Sequence, residues 1–253
     1  MDKASTTRFS DRVQNYVRYR PGYPAEVLHI LRDGCGLTPN HLVADIAAGT
    51  GTFTRLLLQH GNRVFAVEPN AEMRDAAIGL LTDFESVSFV TGTAEQTTLA
   101  GESVDFVTAA QAAHWFDRDR ARREFSRILR PHGWCALIWN ERRTDGTPFL
   151  REYEDLLMKF GTDYKEVRHE QTTATISDFF APMPYQEETA EMRQEFDFEG
   201  LAGRLLSSSY APLEDHPSHA PMMKELERIF RKHAKDGTVE FEYTTRVFFG
   251  RLG

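Results

Sequence analysis

Residues 43 to 54 read VADIAAGTGTFT: an apolar run ends in an acid, Asp45, and a small-residue turn, Ala47 to Gly51 with Gly49 and Thr50 inside it, leads into a helical pattern. A strand that passes into a helix this way exposes backbone amides where a ligand can bind. A dinucleotide fingerprint begun at Gly49 needs glycine at position 54, where Thr54 stands, and one begun at Ala47 fails at Thr52. Asp45 adds an electrostatic objection, because a carboxylate there repels a pyrophosphate and favours a ligand with positive charge. Glu68 closes the next apolar run, seventeen residues after Gly51, close to the roughly 20 at which an acid grips ribose hydroxyls. Ribose diols with an ammonium, a sulfonium and a carboxylate describe S-adenosylmethionine, whose carboxylate can use the turn's amides while its cationic groups tolerate Asp45.

Two further stretches carry chemistry-bearing residues. GTAEQ, 92–96, sets Thr93, Ala94 and Glu95 at the next strand exit, where amides and a side-chain acceptor can read an adenine edge. VDFVTAAQAAHWFDRDR places Gln111, His114 and Trp115 just after a fourth apolar run. Trp115 beside Phe116 is either a packing pair or a wall of the ligand pocket. His114 is either a general base, since an imidazole titrates near neutrality, or a packing contact. His216, His219 and His233 lack acid or cysteine partners in ligand spacing, so no metal is expected.

Strands and helices must alternate to hold these groups. HLVADIA, RVFAVE, SVSFVTG, VDFVTAA and WCALIW are short apolar runs separated by helix-spaced segments, the pattern of an α/β, doubly wound, mostly parallel sheet with helices on both faces. In RARREFSRIL, Ala121, Phe125, Ile128 and Leu129 share one face before Pro131 and Gly133 stop the helix. Residues 8–35 read as one or two helices broken by RYRPGYP. Beyond the fifth strand, Phe149, Tyr153, Leu156, Leu157 and Phe160 form an amphipathic face, and 161–175 is expected to be a hinge or loop. Then come a strand-like alternation in EETAEMRQEFDF, a helix in EGLAGRLLSSSY, a helix over 221–234 and a long last strand, TVEFEYTTRVFFGRL. One domain over 1–253 is expected: a helical N-terminal lid, 1–40; a cofactor core, 41–140; helical cap and substrate-side elements, 141–235; and a terminal strand, 236–253.

Composition excludes several classes. The 253 residues are 41% apolar, enough for a core, and 30 basic against 38 acidic residues give a charge of −8. No basic block can track phosphates, so nucleic acid is not an expected partner. The longest apolar stretches reach about a third of the roughly 18 residues a membrane span needs, so neither a membrane nor a signal segment is expected. Cys35 and Cys135 are too few for a disulfide framework, and the expected location is the cytoplasm.

Together these stretches resemble the class I S-adenosylmethionine-dependent methyltransferases, in the small-molecule branch of the trans-aconitate methyltransferase-like proteins. DIAAGTG is similar to the family's first motif, VFAVEPNAEM to its second, GTAEQTTL to its third, and AAQAAHWFDRDRARREFSRILRPHGWCALIWN to its fourth strand through fifth. RYRPGYP, SSSYAP and VEFEYTTRVFFGRL extend the likeness along nearly the whole chain. The resemblance implies a Rossmann-like sheet of seven strands with the last antiparallel. It also implies that Asp45 and Ala47–Gly51 hold the methionine end, Glu68 and Pro69 meet the ribose, and Met73 packs near adenine. Thr93, Ala94 and Glu95 would bound the adenine edge, Gln111 would lie near the reactive end, and Tyr16 and Arg20 would close over the cofactor. The family often has glycine at Ala47 and an acid at Thr93; Ala47 is therefore expected to keep a negative φ.

The expected reaction is in-line methyl transfer to a small organic acceptor, a carboxylate among the candidates. An anionic acceptor needs cationic grips, for which Arg20, Arg142, Arg143, Arg193 and Arg246 are available, with Trp115 as a wall; a neutral hydroxyl needs a base, and His114 is the candidate. Each arginine is also a common kind of solvated surface residue. A nicotinamide-dependent oxidoreductase and a non-catalytic S-adenosylmethionine-binding regulator stay open as alternatives.

Overall fold

The computed structural model describes residues 21–164, 172–208 and 210–253. Along the chain these form α1 (Glu26–Cys35), β1 (Leu42–Ile46), α2 (Thr52–Gln59), β2 (Arg63–Val67), α3 (Ala71–Leu80), β3 (Val87–Val90) and β4 (Val104–Ala110). A short 3-10 turn (Ala113–Trp115) precedes α4 (Arg118–Ile128) and β5 (Leu129–Arg142); α5 (Pro148–Phe160), α6 (Thr172–Phe180), β6 (Tyr185–Phe196), α7 (Phe198–Leu206), α8 (His219–His233) and β7 (Val239–Gly250) follow.

The seven strands form one sheet in the order β3-β2-β1-β4-β5-β7-β6. The pairs among β1 to β5 are parallel, and β7 runs antiparallel to both β5 and β6, so β7 is the single reversed strand. This is the Rossmann-like arrangement expected. Strand order reverses between β1 and β4, which opens a crevice beyond their carboxyl ends.

Helices cover both faces because the strands are apolar on both. On one face α1 and α2 bury Val27, Leu31, Phe53 and Leu57 against Val43, Val64, Ile138 and Phe249. On the other, α4 and α6 bury Phe125, Ile128, Phe179 and Phe180 against Val107, Leu137 and Phe248. A third cluster joins α5, α7 and α8 to Phe196, Phe241 and Tyr243, at the carboxyl end of β6 and the start of β7.

Two local expectations are corrected. Helix α4 stops at Ile128, and Leu129 opens β5 without an intervening loop. Residues 172–175 are helical, as the first turn of α6, rather than loop. The strand-like alternation in EETAEMRQEFDF forms the edge strand β6. Helix α1 packs on the core, where a Cβ at Gly34 would collide with the Phe249 ring. Cys35 and Cys135 are both buried, and burial pushes the Cys35 thiol up to about 12.

Candidate cofactor cleft

The first two strand-end acids meet at one loop. Asp45 lies in register with Ala66 of β2 and Thr108 of β4, at the switch point itself. It is 1% exposed, and its two oxygens accept from the Thr54 hydroxyl at 2.6 Å and the Thr108 hydroxyl at 3.0 Å. Burial pushes its pKa up to about 6 against the pull of the two hydroxyls, and the nearby Glu68 charge adds to the rise. This corrects the picture of a carboxylate open at the mouth: Asp45 is a buried brace whose charge acts through space. It also explains Thr54, where the dinucleotide pattern wants glycine.

Glu68 closes over the turn. Its Oε2 accepts from the Gly49 N–H at 2.9 Å and its Oε1 from the Asn70 N–H at 2.8 Å, while Arg74 Nη1 donates to its carbonyl. Burial raises its pKa too, opposed by those two amides. An ionised carboxylate has about four acceptor directions, so two remain for hydroxyl groups. Asn70 also caps α3, accepting from Met73 N–H at 2.9 Å; Met73 is buried and Pro69 half-buried beside it.

The turn is left-handed at three positions: Ala47 has φ 55°, Gly49 58° and Gly51 80°. The negative φ expected for Ala47 is thus overturned. Gly51 caps α2, and a Cβ there would come 2.7 Å from Leu81 Cδ1. A Cβ at Gly49 would meet no atom within 4 Å, so this glycine borders open space beside Glu68. Thr50 is buried between them. An alanine in the left-handed region costs roughly 1–2 kcal/mol, offset in part by the greater unfolded freedom of glycine. Ala47→Gly is therefore expected to stabilise the protein by about 0.5–1 kcal/mol, read as a raised denaturant midpoint; a lowered midpoint would show that the turn is unstrained.

The remaining candidates divide. Thr93 and Gln96 exchange backbone hydrogen bonds in a tight turn that buries Ala94, and Glu95 Oε1 accepts from the Asp117 N–H at 2.9 Å. Glu124 fixes this loop from α4, accepting from both the N–H and the hydroxyl of Thr97. Gln111, with φ 57°, donates Nε2 to the Asn140 carbonyl at 2.8 Å, and its buried Oε1 has no partner among the described residues. Asn140 in turn donates to Gly22 O and accepts from Thr245, tying Gly22 to the sheet end. His114 is exposed, its ring 4.6 Å from that of half-buried Trp115 and 5.7 Å from that of Trp139. Tyr16 and Arg20 lie outside the described residues.

The arginines behave differently from the expected grips. Arg193 is 63% exposed along its side chain and pairs with Glu240 across β6 and β7. Arg246 is held by Glu141 and Glu187, and Arg143 by Glu191 and Glu242. Arg142 is buried in an ion pair with Glu154 and also donates to the Tyr164 hydroxyl at 3.2 Å. A surface groove of about 450 Å³ between Lys159, Phe160, Lys224 and Arg228 lies on α5 and α8, away from the strand-end loops. Among the described residues no group of three or more His, Cys, Asp or Glu is placed to hold a metal, and no helix is long and apolar enough to cross a membrane.

The loops gathered here fall within a stretch with known relatives. Residues 44–137 match the sequence model of a methyltransferase domain. This segment is similar to a methyltransferase domain. It spans β1 to β5 and so contains Asp45, Glu68, the 93–97 turn and Gln111. An uncharacterized methyltransferase of Mycobacterium bovis is 37% identical over 158 residues, 62% of either chain. A methyltransferase-like protein of Schizosaccharomyces pombe is 33% identical over 156 residues, 61% of this chain and 59% of its own. The chain thus spans about three fifths of the curated relatives it matches. A solved structure from Anaeromyxobacter dehalogenans, provisionally named a type II methyltransferase, superposes with TM-score 0.70 at 22% identity, over 92% of this chain and 98% of that one. That likeness establishes the fold. The open space at Gly49, the residual acceptor capacity of Glu68 and the Gln111 oxygen without a partner among the described residues suit a polar, cationic nucleoside.

Proposed function

We propose that the chain is an S-adenosylmethionine-dependent methyltransferase acting on a small organic acceptor, with a carboxylate as the class of acceptor. The observation that carries the reading is the convergence of two strand-end acids on one glycine turn: Glu68 accepts from Gly49 N–H at 2.9 Å, and its charge raises the proton affinity of Asp45. Had they opened onto separate surfaces, no single nucleoside could use both.

In this reading Glu68 receives the ribose hydroxyls, and Pro69 and Met73 flank the base, whose edge meets Thr93, Ala94 and Glu95. The amides of Ala47 to Gly51, at the N-terminal end of α2, take the methionine carboxylate. Asp45 compensates the ligand's positive charge from beneath the turn, and Gln111 Oε1 takes a donor at the reactive end. When bound, the cofactor would supply a sulfonium methyl group, whose carbon the acceptor would attack in line as the carbon–sulfur bond breaks and the neutral thioether, S-adenosylhomocysteine, leaves. The protein's own part is alignment, on the order of 7–11 kcal/mol, and exclusion of water. An anionic acceptor needs no base; His114, with Trp115 as its neighbour, is kept as a base for a neutral hydroxyl acceptor.

A nicotinamide-dependent oxidoreductase is disfavoured, since Thr54 holds Asp45 where a dinucleotide loop needs glycine. Calorimetry with S-adenosylmethionine tests the main reading: binding below millimolar is expected, and none at millimolar concentration with an intact fold would rule it out. Release of S-adenosylhomocysteine across an acceptor panel separates an enzyme from a non-catalytic binder of the same cofactor.

A further inference from the structure

Helix α7 carries an arginine that sequence reading passes over. Arg204 is 7% exposed, yet among the described residues no carboxylate pairs with it. Its Nη1 donates to the Ser208 hydroxyl at 3.1 Å, and its buried Nε–H has no partner among the described residues. Tyr153 and Tyr243, each 2% exposed, and Tyr210 surround it. Arg142 lies in the same cluster, 5.0 Å over the Tyr153 ring, but its charge is met by Glu154. Among the described residues, two guanidinium groups and one carboxylate leave one buried positive charge uncompensated. Such a charge ordinarily costs several kcal/mol, and phenol hydroxyls and ring faces offset only part of that.

The place is informative. Tyr243 stands opposite Arg142 in the β5–β7 register. Arg142 is two residues beyond Asn140, whose carbonyl holds Gln111, so the cationic cluster begins about 7 Å further along β5 at roughly 3.3 Å per residue. It lies at the same end of β5 as the Asn140 carbonyl that holds Gln111, on the side formed by α5 and α7.

We infer that Arg204 anchors a carboxylate of the methyl acceptor, in a pocket walled by Tyr153, Tyr210 and Tyr243. The inference rests on the methyltransferase reading for the word acceptor, but the anion site itself does not. A guanidinium edge formed by Nε–H and a terminal N–H matches a carboxylate in two parallel hydrogen bonds, and the tyrosine hydroxyls supply further donors. A neutral or cationic acceptor leaves the buried charge unmet, so the same residue selects against both. Arg142, taken from sequence as a grip, becomes a positioning residue that holds Tyr153 and Tyr164 in the wall.

The test uses the full chain with glutarate as probe and glutaramide as its neutral control. Glutarate is expected to raise the unfolding temperature of the wild type, with glutaramide giving no rise. In Arg204→Met, similar in length and uncharged, glutarate affinity is expected to fall at least about tenfold, while the ligand-free protein unfolds at the wild-type temperature or above. Arg204→Lys keeps the charge without the planar fork and is expected to retain only part of the glutarate response. Equal responses to glutarate and glutaramide, an undiminished glutarate response in Arg204→Met, or an equal rise with inorganic phosphate would each overturn the carboxylate assignment. A large loss of ligand-free stability in both variants would overturn it as well, by making Arg204 a structural cation. S-adenosylmethionine binding, measured in parallel on the wild type, reports on the cofactor reading separately: its absence sinks that reading, whereas its presence beside a failed glutarate arm sinks only this one.

Discussion

Glu68→Ala is expected to weaken S-adenosylmethionine binding by roughly 1.5–3 kcal/mol for each charge-assisted hydrogen bond lost, about 10- to 150-fold per bond. Two effects add in the same direction. The ribose loses its acceptor, and the Gly49 and Asn70 amides lose the carboxylate that holds the first two strand-end loops together. Glu68→Gln separates neither effect, because an amide –NH2 must then face one of those N–H donors. The fold is expected to survive, since both amides lie at the cleft where water can replace the carboxylate. Calorimetry on the folded variant decides: a dissociation constant equal to that of the wild type would remove Glu68 from the cofactor site.

Asp45→Asn gives the second large effect, and its sign depends on pH. Asp45 has a pKa of about 6 in the fold, raised mainly by burial and further by Glu68. The folded protein therefore holds this proton more tightly than the unfolded chain, so the contribution is fully present below about pH 4 and is lost as pH rises through about 6. At about 1.4 kcal/mol per unit, roughly 3 kcal/mol is at stake. Asparagine fixes the neutral form and can still bond both threonine hydroxyls, one as acceptor and one as donor. The ligand-free variant is expected to be more stable than the wild type at pH 7.5, by up to that amount, and to lose this part of the slope between pH 4 and 6. Cofactor affinity at pH 7.5 is expected to move the other way, by about tenfold, because a buried negative charge no longer offsets the ligand's positive one. Identical stability curves for the two proteins would show that Asp45 does not titrate in this range.

These expectations rest on groups that differ in how visible they are along the chain. The strand-end positions of Asp45 and Glu68 follow from local pattern: an apolar run must end where the chain leaves the sheet, and an acid there lies at its edge. The turn at 47–51 is legible for the same reason, although the positive φ of Ala47 is not, since nothing in an alanine announces a left-handed backbone. Thr54 was visible as a break in a glycine pattern, and only the folded protein shows its hydroxyl on Asp45. Thr108 and Asn140, which hold Asp45 and Gln111, lie inside apolar runs and give no signal of their own.

By itself the sequence determined the α/β class, the succession of strands and helices, the acid-ended glycine turn and the excluded dinucleotide loop. All of these depend on residues within one or two elements of each other, where periodicity, capping and turn chemistry act directly. Tertiary structure decided which charges are used up and which are left over. Arg193 and Arg246 meet carboxylates on neighbouring strands, Arg142 meets Glu154 on a helix, and Arg204 is buried with none among the described residues. An arginine's role depends on partners that the sheet register and the cap packing bring close from distant parts of the chain, and no local pattern encodes that distance.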